Sequence, residues 1–329
     1  LGTGITLNSN HWLLAWVGLE INMMAIIPLL SKTHHPRATE AAIKYFLAQT
    51  GASMLMLFSS TLNAWTTGTW DIFHLSNQIS CMLLTTALCM KIGLAPLHLW
   101  LPEVMQGTTL NMSFAIATWQ KLAPMALLIM TANSHSIPLL TLLALTSIII
   151  GGWGGLNQTQ MRKILAYSSI ANMGWMMIIL LMSPKLTTIT LTLYIFMTTT
   201  LFMTIIPQKM KTMKNISTAW AMSPTLTIII MLTLTSIGGL PPMSGFLPKW
   251  LILEELIFNN MVTVATISAM ATLLSLFFYL RLFYSTTMTI SPNPALTQQK
   301  WRQHLKNNKT MILLAPPTLM ILPLLPLLL

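Results

Sequence analysis

Acidic residues are nearly missing from this chain. Six Asp and Glu stand against 17 Lys and Arg, and charged residues of all kinds make up 7% of its 329 positions. Roughly 25% is usual in a soluble domain, so the charges are too few to cover a water-facing surface. Cysteine is scarce as well. Cys81 and Cys89 lie eight residues apart in one apolar segment, about 12 Å along a helix and too far for a mutual disulfide. Two thiols alone do not hold an iron–sulfur cluster. No Gly-x-Gly-x-x-Gly fingerprint follows a strand, and neither a Walker loop nor a Cys-x-x-Cys occurs. Nothing in the sequence therefore points to binding of NADH, a flavin such as FMN, haem or a cluster. Gly151-Gly152-Trp153-Gly154-Gly155 is glycine-rich but ends an apolar run, where close helix packing explains it better. The first residue is Leu1, which suggests that residues precede it. A basic n-region, cleavage site or Arg-rich transit segment is not visible. Targeting is expected to rest on the hydrophobic spans or on residues outside this sequence.

What is abundant is apolar surface, 54% of the residues. That composition describes an all-α polytopic membrane protein. The 18 prolines and 15 glycines fit, since both are commoner in membrane helices than in soluble ones. A net charge of +11 would suggest nucleic acid in a soluble protein. Here the placement of the basic residues gives it another meaning, and no nucleic-acid partner is expected.

Apolar runs of about 20 residues place helices near 11–31, 45–66, 79–101, 104–132, 138–156, 164–183, 188–206, 220–259, 261–288 and 310–329. Residues 1–9 read as the end of one further span, for about eleven in all. The 220–259 segment is too long for one straight crossing and contains Gly238-Gly239-Leu240-Pro241-Pro242, where two prolines disrupt a helix. Counting it as one broken crossing puts loops 32–44, 102–107, 157–163, 207–219 and 289–309 on one side. Those loops carry Lys32, Arg37, Lys44, Arg162, Lys163, Lys209, Lys211, Lys214, Lys300, Arg302, Lys306 and Lys309, and the opposite loops carry only Lys185. The positive-inside rule favours this arrangement over two full crossings. A second proline-interrupted span, Met90 to Glu103, shares Gly-Leu-x-Pro, then Leu-Pro, then a charge with Gly239 to Lys249. The two cross in opposite directions, as expected of an inverted-repeat transporter with its path near the breaks. The expected organisation is a single domain with repeats over 11–132 and 138–288 and a C-terminal helix at 310–329.

Ionisable groups inside these spans are the candidate site. At mid-bilayer each costs at least about 2.5–3.5 kcal/mol on insertion scales and usually has a function. Lys91 lies about 15 Å from either end of its span, beyond the reach of a snorkelling lysine, and Lys121 lies at similar depth. The depth of Lys249 depends on the geometry of its break. Glu20 is the carboxylate most suited to pair with Lys91, each keeping the other charged. Moving the carboxylate away would switch the lysine between holding and releasing a proton. Lys121 is then the expected central relay between Lys91 and Lys249. His98 suits a proton relay or a backbone-satisfied position at a helix break. Arg281 reads as an anchor at the basic end of its helix. His34-His35 reads as solvated, the methionines as apolar filler, and Trp12, Trp16 and Trp100 as an interfacial belt.

Several of these segments are similar to a known family. Trp16–Met23, Pro36–Phe46, Met90–Val104, Trp119–Pro124, Gly151–Arg162 and Gly238–Trp250 together resemble the chain 2 (subunit 2) family of mitochondrial NADH:ubiquinone oxidoreductase, respiratory complex I. The resemblance covers essentially the whole chain. It implies two inverted five-helix repeats and an antiporter-like membrane-arm subunit of the mitochondrial inner membrane, encoded in the organelle, with the basic loops in the matrix. It also implies proton translocation coupled to electron transfer from NADH to ubiquinone. NADH, FMN, iron–sulfur clusters and ubiquinone would be bound elsewhere in the complex and no cofactor by this chain. Its partners would be other complex I subunits, especially neighbouring antiporter-like ones, and membrane lipids. In that family a glutamate of the fifth helix pairs with a lysine of the broken seventh, matching Glu20 and Lys91. The lysines of the eighth and broken twelfth helices match Lys121 and Lys249. Bacterial forms have fourteen helices, whereas this chain begins within the equivalent of the fourth, and animal mitochondrial forms lack the first three. A freestanding cation/proton antiporter and a structural subunit with assembly charges are the competing readings.

Overall fold

In the computed structural model the described residues are 1–287 together with 315, 316, 318 and 319. The expected loop 289–309 and helix 310–329 fall outside them, apart from those four positions. The described chain is helical throughout: α1 Gly2–Leu7, α2 Trp12–Ser31, α3 Pro36–Thr67, α4 Gln78–Ile92, α5 Trp100–Gly107, α6 Leu110–Ala117, α7 Trp119–Met130, α8 Ile137–Gly155, α9 Met161–Ile179, α10 Pro184–Ile205, α11 Met213–Met222, α12 Pro224–Gly238, α13 Phe246–Phe258 and α14 Val262–Thr287. Among the described residues, six stretches are long and apolar enough to cross a membrane: α2, α3, Leu110–Met130, α8, α10 and α14.

Local chemistry sets the helix ends. The His11, His35 and Asn77 side chains accept the backbone N–H two residues on, capping α2, α3 and α4. Prolines open α3, α8, α10 and α12, where a missing N–H costs nothing. Gly93 and Gly239 close α4 and α12 in the left-handed conformation, at φ 86, ψ 42 and φ 84, ψ 41, which glycine adopts without a Cβ penalty. Both α4 and α12 have 15 residues, about 22 Å, short of the roughly 30 Å hydrocarbon core. Each is thus half of a broken crossing, continued by α5 and α13.

Three boundaries differ from the sequence expectation. α3 begins at Pro36 rather than 45, because Pro36 at its first turn and the His35 cap extend the helix through polar residues that carry little hydropathy signal. The first broken span runs from Gln78 to Gly107 rather than ending at 101, since Pro102 sits in the opening turn of α5, where no intrahelical N–H is needed. The expected straight span 104–132 is interrupted twice, at Thr108-Thr109 and at Thr118 (φ −114, ψ −69). In addition, residues expected as loop form α11, whose Ile216 and Ala219 bury against the core.

The described basic loops, 32–44, 102–107, 157–163 and 207–219, gather at one end of the bundle. Lys44 Nζ pairs with Glu103 at 2.6 Å, Gly107 packs on the Arg37 carbonyl, and the Arg162 guanidinium donates to Thr108 O. Met161 N–H donates to Lys211 O and Met213 N–H to Thr159 O, both at 3.1 Å. Arg281 Nη1 donates to Leu156 O at 2.8 Å, which brings the C-terminal part of α14 to this end in the anchoring role expected of it. At the other end Trp12 N–H donates to Trp70 O and Ile72 N–H to Asn10 O. α12 and α13 therefore run once between the two ends as one broken helix pair; the 289–309 loop on which the charge count turns lies outside the described residues.

The buried apolar side chains form two clusters, and α2, α3, α9, α10, α13 and α14 contribute residues to both. Toward the basic end lie Met23 to Leu30, Ala41 to Tyr45, Leu101 to Met105, Met161 to Ile170 and Phe278 to Leu282. Toward the other end lie Trp12 to Leu19, Met56, Leu84 to Leu94, Ala123 to Leu128, Met173 to Leu180 and Ile252 to Ala271. Trp12 is 1% exposed and belongs to this second cluster. Trp100 spends its indole N–H on Met90 O at 3.1 Å, at the helix break. The expected interfacial belt is therefore corrected at Trp12, whose ring fills the interior, while Trp100 is partly buried against the first cluster.

Candidate functional site

Polar residues occupy the seam between the two apolar layers. On α2, Glu20 falls between Leu19 of one cluster and Met23 of the other; on α3, Gln49 falls between Tyr45 and Met56. Gln120 and Lys121 fall between Ala117 and Ala123, Asn172 between Ile170 and Met173, and Lys249 between Leu247 and Ile252. Lys91 ends the apolar run of α4 at its break. The interior is thus dry above and below and polar across the middle. Such groups persist only where their charges and donors find partners.

Lys91 is 6% exposed and faces a cavity of ≈ 10 Å³ lined also by Tyr45, Gln49, Gln120 and Pro124, about one water's worth of space. Gln49 Nε2 donates to Lys91 O at 3.3 Å, holding the last turn of α4 against α3. Pro124 has no N–H, so Gln120 O loses its intrahelical donor beside this cavity. Glu20 acts electrostatically on both Lys91 and Tyr45, but it makes no direct ion pair with Lys91. The ion pairs among the described residues are those of Lys44 with Glu40 and Glu103. Glu20 Oε1 is buried with no protein hydrogen-bond partner there. Of the expected pairing, direct or through one water, the direct ion pair is not formed, and Leu19 and Met23 of α2 lie on the same cavity wall as Lys91.

Lys121 is 3% exposed and enters the third position of α7 just after the break at Thr118. Its Nζ donates to Tyr194 Oη at 3.3 Å and lies 5.2 Å from the centre of that ring. Tyr194 in turn donates to Ala117 O at 3.2 Å. In a regular helix that carbonyl would accept from Lys121 N–H; here Lys121 N–H bonds Thr118 O instead, at 3.3 Å. The break thus frees a carbonyl, and Tyr194 from α10 satisfies it.

Lys249 Nζ donates to Gly238 O at 2.8 Å, the last carbonyl of α12. It is partly buried and lines a cavity of ≈ 40 Å³ with Asn172, Trp175, Thr190 and Tyr194, enough for about three waters. Tyr194 therefore touches Lys121 and also faces the cavity of Lys249.

His98 is buried, and its Nδ1 lies 3.3 Å from Pro96 O, a local contact within the α4–α5 break. The backbone-satisfied arrangement is the one formed. His35 caps α3, and Cys81 and Cys89 are buried free thiols. Sequence reasoning found the charged residues but missed Tyr194, Gln49, Gln120 and Asn172. A lone amide within an apolar helix is the signal that could have found Gln49, Gln120 and Asn172; nothing comparable marked Tyr194.

Two family models together cover most of the chain. The one described as "NADH:quinone oxidoreductase/Mrp antiporter, TM" matches residues 9–275, and the one described as "NADH dehydrogenase subunit 2 C-terminus" matches residues 276–329. NADH-ubiquinone oxidoreductase chain 2 of Struthio camelus is 52% identical over 329 residues, 100% of this chain and 95% of its own. That of Xenopus laevis is 53% identical over 311 residues, 94% of this chain and 90% of its own. Among solved structures, a chain of respiratory complex I from Thermus thermophilus superposes with a TM-score of 0.83 at 25% identity, covering 98% of this chain and 77% of that one. A chain of the Mrp complex from Dietzia sp. shares the fold at 15% identity, with a TM-score of 0.83 over 99% of this chain and 74% of that one.

Proposed function

We propose, because this chain belongs to the NADH:quinone oxidoreductase/Mrp antiporter family and to its NADH dehydrogenase subunit 2 branch, that it is a core membrane-arm subunit of respiratory complex I that moves protons. It sits in the mitochondrial inner membrane, beside other complex I subunits and lipids, with its basic loops toward the matrix. NADH oxidation by ubiquinone is the reaction of the whole complex. This chain contributes no redox centre and converts a transmitted signal into proton movement. The repeats are the stretches 11–132 and 138–288, inverted relative to each other. The matching left-handed caps at Gly93 and Gly239 support that organisation.

The observation that carries the reading is the polar seam, with its lysines, amides and small cavities between two dry layers. In the proposed cycle, movement of Glu20 relative to Lys91 changes how strongly Lys91 holds its proton. A buried ammonium is costly unless a negative charge faces it. Lys121 takes the proton and passes it toward Lys249, and His98 is a candidate member of the same path. Replacing Lys121 by methionine keeps length and apolar bulk and removes the proton site. We expect Lys121→Met to leave the complex assembled while lowering protons pumped per electron and coupled NADH oxidation. An assembled Lys121→Met complex pumping at the wild-type ratio would show Lys121 to be structural.

A further inference from the structure

We propose that Tyr194 is the proton-carrying link between Lys121 and the cavity of Lys249, with the Ala117 carbonyl as its resting acceptor. The proposal rests on the proton-path reading and names a participant that the charged residues alone do not supply. Lys121 and Lys249 make no hydrogen bond to each other among the described residues. The Lys121 ammonium instead donates to Tyr194 Oη at 3.3 Å, and the tyrosine ring lines the cavity into which Lys249 projects. Tyr194 is 6% exposed and is held on α10 between Leu193 and Met197 of the layer toward the basic end. The hydroxyl therefore moves by rotation of its O–H rather than by displacement of the ring.

In the resting arrangement the hydroxyl proton points at Ala117 O, 3.2 Å away, a bond that leads nowhere. That carbonyl needs a donor only because the chain breaks at Thr118 and Lys121 N–H bonds Thr118 O. Transfer begins when the hydroxyl turns from Ala117 O toward the cavity. A Nζ–H bond of Lys121 then breaks as a new Oη–H bond forms. The original hydroxyl proton passes to a water in the cavity, and that water gives a proton to the neutral amine of Lys249. Lys121 ends neutral and Lys249 charged, and Tyr194 and the water are unchanged. No oxidant or reductant is involved. Because the Ala117 carbonyl competes for the hydroxyl, the α6–α7 break acts as the gate of this step.

The test compares variants in the assembled complex, measuring protons pumped per electron in proteoliposomes. Tyr194→Phe keeps the ring and its packing but removes the hydroxyl. It should assemble and lose as much pumping as Lys121→Met. Tyr194→His, a second route should Tyr194→Phe fail to assemble, puts a titratable donor in the same place. It should pump with a new pH dependence near the ordinary histidine range, roughly 6.5. Full pumping by Tyr194→Phe while Lys121→Met fails, or a wild-type pH profile in Tyr194→His, would overturn the role of Tyr194 and leave the relay through Lys121 standing. Full pumping by Lys121→Met would instead overturn the underlying reading.

Discussion

At the residue scale the energetics of single buried charges organise this protein. Each lysine of the seam meets a different partner: a small cavity and the field of Glu20 for Lys91, a hydroxyl for Lys121 and a helix-end carbonyl for Lys249. These differences give each lysine a different electrostatic environment. If Glu20 acts on Lys91 through its charge, the two should be coupled energetically despite the lack of a direct contact. Glu20→Gln keeps the shape and removes the charge, and Lys91→Met removes the other charge. We expect each single variant to lower pumping and the double variant to be no worse than the worse single one. Losses that multiply in the double variant would show that the two act independently. The charged members of this site were readable in the sequence, because an ionised group in an apolar run is expensive wherever it lies. Tyr194 was not, since a tyrosine in such a run is ordinary and its partner Lys121 is 73 residues away.

At the element scale, the breaks decide where the polar groups point. Gly93 and Gly239 end their helices in the same left-handed geometry, but their surroundings differ. A Cβ on Gly93 would meet the Leu101 and Trp100 side chains at 3.2 and 3.4 Å, whereas one on Gly239 would come within 2.8 Å of Lys249 Nζ. Alanine at either position carries about 1–2 kcal/mol of backbone strain. We therefore expect Gly93→Ala and Gly239→Ala to reduce the thermal stability of the assembled complex to a similar degree. Gly239→Ala should also displace Lys249 from Gly238 O and lower protons per electron, while Gly93→Ala should leave that ratio near wild type. Equal pumping by the two variants would separate the Lys249 contact from function. Proline and glycine marked two of these breaks in the sequence. The third, at Thr118, carries neither residue; it follows from the packing of α10 against α6, where Tyr194 satisfies the freed carbonyl.

At the scale of the whole molecule, the bundle is two apolar layers with a polar sheet of side chains between them. Its described basic loops meet at one end through backbone and side-chain bonds that join segments distant in sequence. Single cysteines placed at positions 34, 158 and 208 in the assembled complex should therefore react with an impermeant thiol reagent from one compartment only. Cysteines at 74 and 260, both exposed, should react from the other. Labelling of 208 and 260 from the same side would contradict the single broken crossing of α12 and α13.

The sequence by itself determined the membrane class, the grouping of the described basic loops at one end, two of the breaks and the candidate residues Glu20, Lys91, Lys121 and Lys249. Each follows from a cost that acts locally: dehydration of a charge, a proline without a donor, an excess of lysine in alternate loops. Only the tertiary structure decided that Glu20 makes no direct ion pair with Lys91, that Trp12 turns inward and that Tyr194 joins Lys121 to the cavity of Lys249. Those depend on which face of each helix meets its neighbours. In chains apolar on nearly every face, periodicity carries little of that information, and packing between distant segments supplies it.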